Sequence, residues 1–201
     1  MDLRGWDQRY RTRARPKEDF EAAPVPLLVR MTKDLLPGRA LDLACGAGRN
    51  ALWLASRGWK VTAVDGSSAA LEILRQRAAE RHIEIDAQVR DLEKPAFEIE
   101  PSSLDLIAIC YYLQLDLIES AKQGLKPGGL LVVIVHITEP GEDPTAHRLG
   151  PGELTRRFDG WEILHSFEGR PDDTAHRRPV AEIVARRPAA ILKNERHVPQ
   201  P

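Results

Sequence analysis

A strand, a glycine turn and a helix succeed one another between Ala40 and Asn50, in the run ALDLACGAGRN, and this junction limits the fold more than any other stretch. The opening ALDL is short, apolar and rich in small residues, which suits a strand buried in a parallel sheet. The chain then breaks at Gly46 and Gly48 and enters an amphipathic segment that reads as helix. Glycine at such a junction permits positive φ and lets a ligand press against the main chain, while the unpaired amides of the helix's first turn point at whatever lies there. The junction predicts a site of nucleotide size.

Gly46-x-Gly48-x-x-Ala51 alone would also fit a purely structural turn, and two acids sharpen it. Asp42 lies inside an apolar run, where an unpaired carboxylate costs about several kcal/mol unless a cationic or hydrogen-bonding group compensates it. Asp65 closes the next apolar run, KVTAVD, at the spacing where dinucleotide folds place the acid that holds ribose hydroxyls.

With its acid, the turn reads Asp42-Leu43-Ala44-Cys45-Gly46-Ala47-Gly48, followed by Arg49-Asn50. It resembles the first motif of the class I S-adenosylmethionine (SAM)-dependent methyltransferases, acid, apolar, Gly, x, Gly, x, Gly, with Ala44 in place of the first glycine. Within that family the continuation and the small size are most similar to the tellurite-resistance methyltransferases and their thiopurine-methyltransferase-like relatives. The resemblance covers about Trp6 to Arg187. It implies SAM as cofactor and S-adenosylhomocysteine as product. It also implies that Asp42 lies toward the methionine ammonium, that Ala44, Cys45, Gly46, Gly48 and Asn50 form the cofactor turn, and that Asp65, followed by Gly66 and Ser67, accepts the ribose hydroxyls. Asp91 would face the adenine amino group with Leu92 packed on the ring, and Cys110 would close the site from the fourth strand.

The same resemblance implies an acceptor site. Strand four ends Cys110-Tyr111-Tyr112-Leu113 and lacks the Asn/Asp-Pro-Pro-aromatic motif of DNA amino-methyltransferases, so Tyr111 and Tyr112 are expected to wall a small-molecule pocket. The tellurite-resistance enzymes carry a His-Arg pair in the C-terminal hairpin, and His176-Arg177 is the adjacent pair here that matches, although this hairpin is shorter. His136, His165 and Arg178 are further sources of positive charge for an anionic acceptor or a weakly acidic thiol.

Alternation of apolar strands with amphipathic helices specifies an α/β fold: a doubly wound, seven-stranded, mostly parallel sheet with a C-terminal antiparallel hairpin. Strands are expected at ALDL, KVTAVD, IEIDAQVRD, SLDLIAICYYL and LLVVIVH, the last after a turn LKPGG, then at WEILHSF and PVAEIVARR. By resemblance the last strand inserts beside the fifth. One domain over 1–188 is expected, with 1–37 as a helical lid and 189–201 as a loose tail. Trp6 and Tyr10 stand at i and i+4 on a helical face, which favours an amphipathic helix over the core rather than a basic arm, despite Arg4, Arg9, Arg11, Arg13, Arg15 and Lys17.

Charge narrows the partners: 29 Lys and Arg against 30 Asp and Glu leave a net charge of −1, which favours a small solute over nucleic acid or an anionic membrane. No apolar run reaches the roughly 20 residues of a bilayer span, and a cytoplasmic protein with its two cysteines reduced is expected. Two rivals share the turn: a nicotinamide-dependent oxidoreductase, which would need a second substrate domain, and a SAM-binding regulatory protein without turnover.

Overall fold

The computed structural model describes residues 3–12, 23–93, 97–139, 141–142, 145 and 147–189. Arg13, Arg15 and Lys17 of the basic N-terminal stretch and 190–201 of the expected tail lie outside them.

Helices α1 (Leu3–Arg11) and α2 (Pro26–Thr32) precede a regular alternation: β1 (Arg39–Leu43), α3 (Arg49–Ser56), β2 (Lys60–Asp65), α4 (Ser68–Glu80), β3 (Asp86–Val89), β4 (Leu104–Cys110), α5 (Leu115–Gly124) and β5 (Leu125–His136). A short helix α6 (Glu153–Arg156) leads into β6 (Glu162–Gly169) and β7 (Val180–Arg186). The seven strands lie in the order β3-β2-β1-β4-β5-β7-β6. The first five are parallel, and β7 runs antiparallel between β5 and β6, from Leu130↔Arg186 to His136↔Val180. The expected sheet and the insertion of the last strand beside the fifth are both present.

Because successive residues of a strand point to opposite faces, the central strands bury two cores. Leu41, Leu43, Ile107, Ile109, Leu131 and Val133 pack with α5 and α6 on one face. Ala40, Ala63, Leu106, Ala108, Val132 and Ile134 pack with α2, α3 and α4 on the other. Asp42 shares the face of Ala40, so its carboxylate enters the second core and is only 1% exposed.

Several strand boundaries differ from the sequence reading; β4, for one, ends at Cys110 and leaves Tyr111 to Leu113 outside it. β5 begins at Leu125, because that residue pairs with Leu104, and the Gly128 amide and the Gly129 carbonyl bond to Arg187; the stretch expected to be a turn is already held by the ladder. β3 is shorter than IEIDAQVRD, since its one neighbour β2 pairs with it only from Thr62↔Asp86 to Asp65↔Val89.

Candidate active site

Reversal of strand order between β1 and β4 opens a crevice at the carboxyl ends of the strands, where ligands of doubly wound sheets bind. The cavity there has a volume of about 630 Å³, within the size range of ligand sites. Its wall follows the strands. β1 and the turn after it supply Asp42, Ala44, Cys45, Gly46 and Ala47; β2 supplies Asp65 and Gly66; Leu92 and Glu93 follow β3. β4 supplies Cys110, Tyr111 and Tyr112, β5 supplies His136, and the segment before β7 supplies His176 and Arg178.

The turn is built as the glycines require. Gly46 has φ +55°, and a Cβ there would stand 2.5 Å from the Tyr10 hydroxyl. Ala44, which replaces the family's glycine, also takes a left-handed φ of +53°, so this methyl is carried at a steric cost that glycine would avoid. Asp65 accepts the Gly46 amide on Oδ2 and the Ser67 amide on Oδ1, each at 2.8 Å, fixing the turn from the end of β2. A carboxylate has roughly four lone-pair sites, so it retains capacity for further donors. Asn50 lines the cavity and accepts the Val25 amide at 2.9 Å, tying α2 to α3.

Asp42 is the strained electrostatic point. Burial pushes its carboxyl up to about 7, while the Ala51 amide and Arg49 act the other way. Its Oδ2 is buried without a hydrogen-bond partner among the described residues. A buried carboxylate with one oxygen unpartnered at a ligand cavity fits a cationic ligand group, and the ammonium of SAM is one.

Four expected site residues stand off the cavity wall. Gly48, at φ +79°, turns its missing side chain toward Leu74 of α4, where a Cβ would lie 2.2 Å from Cδ1, so its smallness serves helix packing. Ser67 serves as the cap of α4: its Oγ accepts the Ala70 amide at 3.1 Å and donates to Asp7 at 2.9 Å. Asp91 turns back on the chain, accepting the Glu93 amide at 3.1 Å, and leaves the wall to Leu92 and Glu93. Arg177 is exposed, whereas its neighbour Arg178 faces the cavity and pairs with Glu142 at 3.0 Å. His165 also lies elsewhere, on β6, bonded to Glu182 at 2.8 Å.

The cysteines are both free and both line the cavity, partly buried against the second core. Burial raises both thiols well above their ordinary range. Tyr112 is raised to about 12, by burial first and then by Glu93, Asp91 and Asp65, and stays a protonated phenol.

Three features carried no mark in the sequence. The polar β6–β7 loop is folded back over β4: Asp173, 6% exposed, accepts Arg49 Nη2 at 2.6 Å and the Tyr111 hydroxyl at 2.9 Å on one oxygen, and the Ala175 amide at 3.1 Å on the other. Burial alone would raise the Asp173 carboxyl, but Arg49 and Tyr111 outweigh it and hold it below its usual range. The loop thereby stacks His176 on Tyr111, ring centroids 3.4 Å apart and 3° from parallel, and Tyr111 takes a left-handed φ of +62° to meet it. Second, His147 joins the wall from the segment after β5. Third, Asp7 of α1 accepts the Ala69 amide at 3.0 Å and adds a second cap to α4. That amide, more than Arg11 and Ser67, draws the Asp7 carboxyl down to about 2 against its burial. It anchors α1 so that Trp6, Arg9 and Tyr10 line the cavity.

A parallel α/β sheet closed by an antiparallel β7 beside β5, with a glycine turn and acids at the ends of β1 and β2, has the architecture of the class I SAM-dependent methyltransferases, and the antiparallel insertion separates it from the dehydrogenase architecture. Residues 40–129 match a family described as "Methyltransferase domain". The chain is similar to the "Probable S-adenosyl-L-methionine-dependent methyltransferase TehB" of Haemophilus influenzae, 23% identical over 150 residues, 70% of this chain and 52% of that protein. The crystal structure of TehB from H. influenzae superposes with a TM-score of 0.72 at 22% identity, covering 85% of this chain and 65% of the other. A "Ubiquinone biosynthesis O-methyltransferase" of Nitrosococcus oceani is 33% identical over 132 residues, 63% of this chain and 54% of that protein. The chain spans about half the length of these curated relatives. Among the described residues no helix is long and apolar enough to cross a membrane, and no cluster of metal-ligating side chains occurs.

Proposed function

We propose that the protein transfers the methyl group of SAM to a small acceptor through a chalcogen atom, either a thiol or an oxyanion of a chalcogen or metalloid. The observation that carries this reading is the separation of acidic from basic side chains along the cavity. Sheet order sets Asp65 of β2 and Asp42 of β1 on one side, and His136 of β5 with His176 and Arg178 beside β7 on the other, with the β4 tyrosines between. The acidic side suits the cationic cofactor. The histidine side suits an acceptor that is anionic or becomes so. Asp42, the Ala44–Gly46 backbone, Asp65, Gly66 and Leu92 would hold the cofactor, which supplies a methyl group already activated by a positive sulfur.

What remains for the chain is alignment and exclusion of water, and orientation alone is worth roughly 7–11 kcal/mol. Tyr111 and His176, fixed by Asp173, form one rigid wall of the acceptor side; Tyr112 and α1 form others. Arg178 attracts negative charge there, the role the sequence assigned to Arg177. Similarity to TehB supports a tellurite-type acceptor, and a cytoplasmic location accords with this reading. Formation of S-adenosylhomocysteine should be measured with tellurite, selenite and small thiols. Rapid turnover of a phenol or amine with none of these would replace the acceptor class. Tight SAM binding with no turnover on a broad panel would favour a regulatory protein.

A further inference from the structure

His136 ends β5, the strand held on both sides by β4 and β7, and it pairs with Val180. Its carbonyl accepts the Leu149 amide at 3.2 Å, so its backbone is fixed as firmly as any in the site. The ring lines the cavity and meets both Tyr111 and His176 with centroids 5.6 Å away, completing a three-ring cup. Nδ1 is buried without a hydrogen-bond partner among the described residues, and the Pro179 carbonyl acts on the ring, so Nε2 is the nitrogen placed to meet a ligand. A histidine whose Nδ1 keeps the proton presents a bare Nε2 lone pair, the form that serves as a base.

We propose that His136 Nε2 removes the proton from the acceptor, and that the acceptor therefore arrives as a neutral thiol rather than as a preformed oxyanion. This rests on the methyl-transfer reading above and narrows its acceptor class. In the balanced step the S–H bond breaks and its proton goes to Nε2. The electron pair left on the acceptor sulfur forms the bond to the methyl carbon, and the carbon–sulfonium bond breaks with its pair returning to the cofactor sulfur. No oxidant or metal is needed.

The surroundings keep His136 neutral. Burial lowers its pKa first, and Arg148 and Arg178 lower it further, against the Pro179 carbonyl. Glu142 pairs with both arginines, at 2.6 and 3.0 Å, and moderates their field. From β4 it faces Tyr111, and Cys110 lies at the same strand end; burial keeps both protonated. The β6–β7 loop brings His176, with the Asp173 carboxylate already engaged by Arg49, and the segment after β5 brings His147.

Two measurements decide the matter. In the complex with S-adenosylhomocysteine, the ring nitrogens of ¹⁵N-histidine-labelled protein are assigned by the signal lost in His136→Gln. The expected spectrum has Nδ1 protonated, Nε2 bare, and a titration midpoint below the ordinary histidine value. A proton on Nε2, or a cationic ring at neutral pH, overturns the proposal without reference to activity. Turnover is then followed with a series of aryl and alkyl thiols of rising pKa. His136→Gln should lose about a hundredfold or more on thiols whose pKa lies above the assay pH, and little on those already ionised, with cofactor affinity unchanged. An equal loss across the series overturns the proposal. A wild-type protein that methylates no thiol but accepts oxyanions overturns the thiol class, and the spectrum still rules on His136 as a base.

Discussion

Gly48 and Gly46 are two residues apart in one motif, and the structure gives them different duties that alanine substitution separates. At Gly48 a methyl group meets Leu74 Cδ1 at 2.2 Å and its Cγ at 2.9 Å, and Leu74 is fully buried. The backbone at φ +79° adds a left-handed penalty of about 1–2 kcal/mol for any L side chain. Overpacking of a filled core adds about 1–3 kcal/mol. Gly48→Ala should therefore lose about 2–5 kcal/mol of stability, a large part of what a domain of this size possesses. Gly46→Ala carries the same backbone penalty at φ +55°, but its new methyl meets the terminal hydroxyl of Tyr10 on α1, which can swing aside. That variant should keep most of its stability and lose cofactor affinity. Urea unfolding followed by the fluorescence of the four tryptophans gives the first quantity, and calorimetric titration with SAM the second. An unchanged urea midpoint in Gly48→Ala, or the same pattern of losses in both variants, would refute the division.

Further outcomes follow from the charged groups. Asp65→Ala should weaken SAM binding by about 1–3 kcal/mol in calorimetry and also lower the urea midpoint, since Asp65 holds the Gly46 and Ser67 amides; unchanged affinity in a folded variant would remove it from the cofactor site. Asp173→Ala strands the 15% exposed Arg49 and should cost about 3–5 kcal/mol. Because the Asp173 pKa is depressed, the stability it gives is present at neutral pH and lost as pH falls through the acid range, and a variant whose stability matches wild type at neutral pH would contradict this. SAM affinity should rise as pH increases through about 7, as Asp42 ionises, and fall again above about 8, as the ligand's own ammonium loses its proton; titrations in buffers of different ionisation enthalpy should show proton release below about pH 7, and a flat profile would exclude the contact. Asp7→Ala should cost about 1 kcal/mol above pH 4 and progressively less as pH drops toward 2, where wild type itself loses the cap; equal losses at pH 3 and pH 6 would contradict the Asp7 assignment.

How much of this was legible in the sequence depended on range. The sheet could be read because each strand is an apolar run bounded by turn residues, and the acidic side of the cavity because Asp42, Gly46 and Asp65 sit in one strand-turn-helix-strand unit. Trp6 and Tyr10 were legible as one helical face. Arg49 with Asp173 was not, since those residues are 124 positions apart and an aspartate in a polar loop looks solvated until the loop is seen folded back. His147 and Arg178 lie in segments without periodicity, so nothing local set them apart from bystanders such as His165. For Gly48 the motif was visible and the duty was not: sequence spacing identifies a glycine, while only the position of Leu74 tells which neighbour needs the room.

The place of β7 has a consequence for how the chain is made. Strand β5 carries LLVVIVH, one of the most apolar runs in the sequence, and one of its edges is covered only by β7. During synthesis from the N-terminus, β4 is available early to cover one edge of β5, but the far edge stays open until residues 180–186 have been made. An open edge of seven residues, six of them apolar and β-prone, is a template for pairing with other chains. Chains stopped within the hairpin should therefore be lost to aggregation and would not survive as weakened enzymes, and the strand that covers the edge of β5 also guards the nascent protein.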